Sequence, residues 1–361
     1  MAMTSPRPLS SLPLALSQGD PSGIGPELTL KAWFETHESP EAPPFFVVAD
    51  PDHLAAAARQ LDLKVPLKIV GADEAAHIFP SALPVTALNH GVHGRPGLPD
   101  PRDAAGAIAS IDACVRMIRD GTAAAAVTNP VSKRRFSEAN LCHPGHTEYL
   151  AELAQRYFGT SARPVMLIWS PELAVVPATI HVPLARVPEF VTPALLIETA
   201  MIVARDIAAR FGIKNPRLAF TGLNPHAGED GAMGREEIEV IALALAELKA
   251  AGVAVSGPHA ADSVFQPSAR KNYDAIIAMY HDQALIPIKT IAFDHAVNVT
   301  LGLPFIRTSP DHGTAYDIAG KGIADPSSLI AALHLAARLA RNDANSRSSY
   351  AARRFSIEMP H

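Results

Sequence analysis

The sequence predicts an α/β fold. Short apolar runs that stop at Gly, Pro or polar residues recur along the 361 residues, and segments with apolar side chains at helical spacing lie between several of them. With 48% hydrophobic residues, the chain can bury a large core, and its length suits one large unit or two domains that share a cleft.

Leu12 to Leu16 is apolar and ends at Ser17, where GDPSGIG supplies a Gly- and Pro-rich turn, so a strand followed by a loop is predicted. Glu27 to Trp33 opens a helix and Phe45 to Ala49 reads as the next strand. From Asp103 to Arg119, Ala105, Ile108, Cys114, Val115 and Ile118 recur at helical intervals, with a stop near Gly121. Ala123 to Val127 reads as a buried strand ahead of Thr128-Asn129-Pro130.

Thr192 to Phe211 is a second long helix with Gly212 as its C-cap, and Leu218 to Phe220 is a strand feeding TGLNPHAGEDGAMG. Glu236 to Ala251 carries an apolar stripe of Ile238, Ile241, Leu245 and Leu248 and stops at Gly252, after which Val253 to Val255 resumes as strand. Ala275 to Tyr280 is apolar and runs directly into His281-Asp282-Gln283. Pro326-Ser327-Ser328 starts a helix over LIAALHLAARLA, and the polar tail from Arg341 is expected to fray. No short-period repeat, heptad series or low-complexity linker interrupts this alternation.

Composition narrows the function. Lys and Arg number 31 against 36 Asp and Glu, and a formal charge of -5 gives no global attraction to nucleic acid or to an anionic membrane. The first residues hold an apolar stretch interrupted by Pro13, too weak for a signal peptide, and no run approaches the roughly 18 apolar residues of a membrane span. Cys114 and Cys142 lack disulfide-rich or CxxC spacing and read as two reduced thiols, neither a strong nucleophile. A soluble cytoplasmic protein is expected.

Polar residues follow several strand ends, where α/β proteins place ligands. Closely spaced glycines in GDPSGIGPE match neither a Walker A sequence nor GxGxxG, and serve either a tight turn or close approach to a ligand. Thr128, Asn129 and Lys133 line either a cleft or a solvated loop. In His143-Pro144-Gly145-His146-Thr147-Glu148, His146 and Thr147 suit a negatively charged substrate.

His181, His226 and His281 each follow a predicted strand directly or within a loop, so three chain-distant imidazoles are placed to converge on a divalent ion; separate roles are the alternative. Lys289, Asn298 and Arg307, read as lying in a Gly/Pro-punctuated region, suit phosphate or carboxylate. Asp262 is a candidate for ligand orientation or proton traffic. DHGTAYDIAGKGIADP, with glycines 313, 320 and 322 and polar His312, Asp317 and Lys321, reads as a cofactor-facing loop.

Taken in order, GDPSGIGPE, TNPVSK, GHTE, GLNPHAGE, YDAIIAMYHDQ, AVNVTLGLPFIRTS and DHGTAYDIAG resemble the 4-hydroxythreonine-4-phosphate dehydrogenase (PdxA) family over nearly the whole chain. DHGTAYDIAG also looks like a cofactor loop of isocitrate and isopropylmalate dehydrogenases. The resemblance therefore implies a two-domain fold of that type with an interdomain cleft: 12–136 with 305–350 as the first domain, and 137–304 as the second, carrying most ligands and the dimer contacts.

By this resemblance His181, His226 and His281 match the metal ligands, with His281 supplied by the neighbouring subunit of a homodimer. His146, Thr147, Lys289, Asn298 and Arg307 match substrate contacts, while His312 and Asp317 are the cofactor candidates. NAD is the implied cofactor, with NADP as the other nicotinamide choice. One divalent ion is implied per site, zinc foremost and magnesium or cobalt behind it. The implied substrate is 4-phosphonooxy-L-threonine, with phospho-D-threonate, phospho-D-erythronate or an aromatic cis-diol as alternatives, and a non-catalytic metabolite-binding protein as a further one.

Overall fold

The computed structural model describes residues 12–139 and 145–357. Met1 to Ser11, Cys142, His143 and Pro144 lie outside the described residues. In chain order the strands are β1 (Leu14–Ser17), β2 (Phe45–Ala49), β3 (Leu67–Ile69), β4 (Leu83–Ala87), β5 (Ala126–Thr128), β6 (Val165–Trp169), β7 (Ala174–Pro177), β8 (Leu218–Thr221), β9 (Val255–His259), β10 (Ala275–Ala278), β11 (Val297–Leu301) and β12 (Arg307–Pro310). The chain divides into two compact units, Met1–Pro164 with Leu303–His361, and Val165–Gly302.

In the first unit the strand order is β3-β4-β2-β1-β5-β12, and every pairing is parallel. Strands of this kind are covered on both faces, which is why β1 and β2 are buried at every position and apolar throughout except at Ser17. The chain moves outward from β1 through β2 to β4 and β3, then returns to place β5 on the other side of β1. The carboxyl ends of β1 and β5 therefore form a topological switch point, where GDPSGIGPE and TNPVSK emerge.

Helix Ala104–Arg119 covers this sheet, and its Ile108, Ile111 and Val115 pack with Tyr149, Leu150 and Leu153 of helix His146–Phe158. That second helix, placed in the other unit by the sequence reading, packs in the first because these leucines and Tyr149 complete its core. Cys114 is buried and free; burial pushes its thiol far above the ordinary range, so it is no nucleophile.

In the second unit the order is β11-β6-β7-β10-β8-β9, antiparallel from β11 to β7 and parallel from β7 to β9. Its core gathers Ile168, Val175, Ala219 and Ile276 with Ala284 and Ile288 of helix His281–Ala292. Helix Pro193–Asp206 starts on the Thr192 side chain, which accepts from the Leu195 amide at 3.2 Å, and the segment Ile207–Phe211 ends at Gly212 with φ 78°.

Two local expectations change. The C-terminal helix runs Ser327–Ile357 instead of fraying at Arg341, because no Gly or Pro interrupts 341–357. Lys289, Asn298 and Arg307 do not share a loop: they sit in helix His281–Ala292, β11 and β12. The helix was hidden by Pro287 in its interior. Among the described residues no single helix is long and apolar enough to cross a membrane.

Candidate active site

Strands β7, β10 and β8 are adjacent and parallel, and the chain leaves their carboxyl ends toward His181, His281 and His226 respectively. The alternation of apolar strand and polar loop in the sequence thus becomes three imidazole-bearing segments on one edge of the second unit. The rings of His181 and His281 come within 5.8 Å of each other, centroid to centroid. His281 starts its helix, and its Nδ1 lies 2.7 Å from the Asp282 carboxylate. In the neutral ring that proton sits on Nδ1, leaving the Nε2 lone pair for a ligand.

His181 has φ 49° and His226 φ 51°, both left-handed backbone that non-glycine residues rarely occupy. From His226 to Asp230 five consecutive residues keep positive φ, four of them non-glycine. Such residues cost roughly 1–3 kcal/mol each and persist only where their surroundings over-determine them. Buried Glu237 fixes the residues that lead into this segment, its Oε1 accepting from the Leu223 and Asn224 amides at 2.8 and 2.7 Å. Its Oε2 and the Glu236 carboxylate both accept from Asn224 Nδ2, at 3.0 and 2.7 Å.

The three strand ends are also tied to one another. Gln283 Oε1 accepts from Thr221 Oγ1 and from the Met279 amide, both at 2.7 Å, while its Nε2 donates to the Gly222 carbonyl at 2.8 Å. Thr179 Oγ1 donates to the Met279 carbonyl at 2.8 Å. β7, β10 and β8 thereby deliver their histidines from one hydrogen-bonded frame.

Neutral imidazole nitrogens suit a borderline divalent ion. Among the described residues no group of three or more His, Cys, Asp or Glu is assembled to hold a metal. The donor chemistry of His181, His226 and His281 fits such an ion.

Asp262 is exposed at the start of the short helix Ala261–Val264, which packs against the segment holding His226. Lys289 lies eight residues along its helix from His281, roughly 12 Å at 1.5 Å per residue, with Nζ 5.9 Å from the Phe293 ring centre. Asn298, half-buried in β11, pairs with Ile168.

The first unit brings Arg307 and His146 close to each other. Arg307, 6% exposed in β12, donates from Nε and Nη2 to Thr128 Oγ1 at 3.1 and 2.7 Å. Burial pulls its guanidinium down to about 10, which leaves it cationic at neutral pH. Burial, and then the Arg307 charge, hold His146 well below the ordinary imidazole value, so it is neutral. His146 and Thr147 open helix His146–Phe158, whose extended N-cap Gly145 provides no side-chain cap. A helix start of this kind, beside a buried guanidinium, favours phosphate or carboxylate.

The glycine-rich loop answers the choice its sequence left open. Gly19 has φ 75°, and a Cβ there would meet Asn129 Cβ at 2.6 Å; at Gly23 it would meet the Thr314 carbonyl at 2.8 Å. The close approach is to neighbouring loops. Asn129 fixes the joint by donating from Nδ2 to the Ser17 carbonyl and to Thr29 Oγ1, at 2.9 and 2.8 Å, while Lys133 is exposed at a helix start.

Sequence reading missed what locks these loops. Buried Asp20 accepts on Oδ2 from Arg135 Nε at 2.7 Å and from the Tyr316 hydroxyl at 2.5 Å. Arg135 Nη1 also donates to Glu138 Oε2 at 2.6 Å and to the Asp100 carbonyl at 2.7 Å. Burial opposes the Arg135 charge, but Asp20 and the groups around it outweigh that and hold it above its ordinary value. Burial, followed by the Asp20 carboxylate, pushes the Tyr316 hydroxyl up. In the same segment as Tyr316, His312 is half-buried with Nδ1 3.1 Å from the Gly313 carbonyl, and Asp317 is exposed.

An α/β scaffold with imidazoles after adjacent parallel strands, and a buried guanidinium close to a helix start, has the chemistry of an enzyme that handles small anionic metabolites. Residues 41–336 match the family described as pyridoxal phosphate biosynthetic protein PdxA. A 4-hydroxythreonine-4-phosphate dehydrogenase of Methylorubrum extorquens is 53% identical over 343 residues, covering 94% of this chain and 98% of that protein. A crystal structure of 4-hydroxythreonine-4-phosphate dehydrogenase from Klebsiella pneumoniae matches with a TM-score of 0.80 at 34% identity, over 91% of this chain and 98% of that one. A terephthalate 1,2-cis-dihydrodiol dehydrogenase from Burkholderia xenovorans matches with a TM-score of 0.59 at 28% identity, over 91% and 98%. The chain belongs to the PdxA family, and it is an oxidoreductase of pyridoxal phosphate biosynthesis.

Proposed function

We propose that the chain oxidises the C3 hydroxyl of 4-phosphonooxy-L-threonine, with NAD accepting the hydride, and that the resulting β-keto acid loses carbon dioxide to give 3-amino-2-oxopropyl phosphate. The acting species is a cytoplasmic homodimer with one divalent ion per site, zinc foremost. The observation that carries this reading is the buried Arg307 cation beside neutral His146 at an uncapped helix start, a receptor for an anionic group of the substrate.

His181, His226 and His281 would hold the ion, which when bound supplies a Lewis acid for the reacting oxygens. The chain's own groups do the rest. Arg307 fixes an anionic end of the substrate, and neutral His146 offers it a hydrogen bond without adding a second positive charge beside the guanidinium. Thr147, Lys289 and Asn298 complete the substrate contacts, with His281 reaching the site of the partner subunit. Asp262 carries proton traffic, and His312 and Asp317 face the cofactor.

Purified protein, 4-phosphonooxy-L-threonine, NAD and a divalent ion are expected to yield NADH and carbon dioxide in equal amounts. A much higher kcat/KM for phospho-D-threonate, phospho-D-erythronate or an aromatic cis-diol would overturn the substrate. Binding without turnover across all of these would overturn the enzymatic reading itself.

A further inference from the structure

The sequence allows Thr128 either a cleft or a solvated loop, and none of the roles above uses it. The structure buries it completely, as the last residue of β5. β5 lies between β1 and β12, and Thr128 pairs with Ser17 on the β1 side. Next along the chain, Asn129 fixes the strand end through its two Nδ2 bonds. A hydroxyl held this firmly and closed off from solvent acts through the side chain it touches.

That side chain is Arg307. In the register of β5 and β12, Arg307 stands opposite Ala126, and Thr128 is two residues further along β5. Side chains at i and i+2 share one face of a strand, so Arg307 and Thr128 lie on the same side of the sheet, about 6–7 Å apart along the strand direction. The arginine side chain spans that distance toward the carboxyl ends of the strands, the end at which α/β sheets bind ligands. There Nε and Nη2 both donate to Thr128 Oγ1, at 3.1 and 2.7 Å. Two bonds from one edge of a planar guanidinium to one oxygen fix the plane of the group and the direction in which its charge faces. Threonine suits this in two ways. Its oxygen is neutral and orients the cation without cancelling the charge that an anion would meet, whereas a carboxylate at this position would do both. Its Cβ is branched, which restricts χ1 and favours a strand.

We propose that Thr128 is a positioning residue for substrate binding, holding the Arg307 guanidinium in the orientation that takes an anionic end of the substrate; the proposal rests on the reading of Arg307 as a substrate contact. His146 is close enough for the Arg307 charge to act on its ring, so the two groups converge on one anion only while the guanidinium keeps its orientation. Loss of Thr128 Oγ1 leaves the cation present and unaligned. An anion contact made alike before and during the reaction is lost mainly from binding, so KM rises more than kcat falls.

The test compares full-length wild type with Thr128→Val, Thr128→Ser and Arg307→Met, by calorimetric titration with inorganic phosphate, kinetics with 4-phosphonooxy-L-threonine and urea unfolding. Thr128→Val keeps the branched shape and removes the acceptor; it is expected to weaken phosphate binding and raise KM about tenfold, with a smaller fall in kcat. Thr128→Ser keeps the acceptor and is expected to stay within about threefold of wild type in both. In an Arg307→Met background, Thr128→Val is expected to cause no further loss of phosphate affinity. Where Thr128→Val does not fold, Thr128→Cys, a weak acceptor close to serine in shape, takes its place in the comparison with Thr128→Ser. Wild-type phosphate affinity and KM in folded Thr128→Val overturn the positioning role and leave Arg307 as the anion contact. Equal losses in the Val and Ser variants overturn it too, since packing and not the acceptor would then be at work. Wild-type phosphate affinity in Arg307→Met overturns the reading of Arg307 itself, and the proposal with it.

Discussion

Gln283 joins the strand end that leads to His226 with the one that leads to His281: its amide oxygen accepts from Thr221 Oγ1 at 2.7 Å and from the Met279 amide at 2.7 Å. Replacing it by Leu leaves the Met279 N–H and the Gly222 carbonyl without this partner. We expect a loss of about 2–4 kcal/mol in stability and, because outer partners orient metal ligands, about 10- to 100-fold weaker divalent-ion binding. Urea unfolding and metal titration measure the two separately. Unchanged metal affinity in folded Gln283→Leu protein would remove this residue from the positioning of the histidines.

Asp20 and Arg135 make a buried ion pair across 115 positions of sequence. Taking away one charge strands the other, so Arg135→Met is expected to cost about 3–5 kcal/mol, while adding Asp20→Asn restores a large part of that loss. Denaturant unfolding of the two single variants and the double variant closes the cycle. Strict additivity would mean that the two side chains do not stabilise the loops together.

The sequence made the parallel strands legible because strands covered on both faces read as uninterrupted apolar runs, as Phe45–Ala49 does. It also placed His181, His226 and His281 directly after predicted strands or in the loops that follow them, because each apolar run gives way there to a polar segment. It could not show that the strand order sets β7, β10 and β8 side by side, because adjacency is a long-range property. Asp20, Arg135 and Tyr316 stayed hidden for the same reason: each is an ordinary loop or helix residue until the loops meet. Pro287 concealed a helix by breaking the local rule, and Gly19 suggested a ligand where Asn129 was the neighbour.

Burial, the leading cause in each case, holds His53, His146, His259 and His334 below the ordinary imidazole value. In the unfolded chain these rings take up protons near pH 6.5, whereas the folded protein resists doing so. Stability is therefore fully present above about pH 6.5 and falls as the pH drops from there toward the folded values. The urea midpoint is expected to fall between about pH 7.5 and about pH 5. A midpoint that holds constant or rises over this interval would contradict the neutral burial of these histidines.

Chelation is expected to abolish NADH formation, and a divalent ion to restore it. Full turnover after verified removal of every divalent ion would end the metal-dependent reading.

His181 and His281 give the most discriminating experiment, because their rings lie 5.8 Å apart in one chain while family resemblance draws His281 from the neighbouring subunit. Each Ala variant alone is expected to lose activity far more than stability, since an incomplete ligand set weakens the ion that acts on the reacting oxygens. Mixing inactive His181→Ala and His281→Ala homodimers under conditions of subunit exchange then separates two geometries. If one site takes His181 from one chain and His281 from the other, the mixed dimer holds one site with both defects and one intact site. Activity and metal binding return, up to about half of wild type per mixed dimer if the two sites act independently. That is the expected outcome. If both imidazoles serve from the same chain, every site in the mixed dimer stays incomplete, and a folded, demonstrably exchanged mixture recovers nothing.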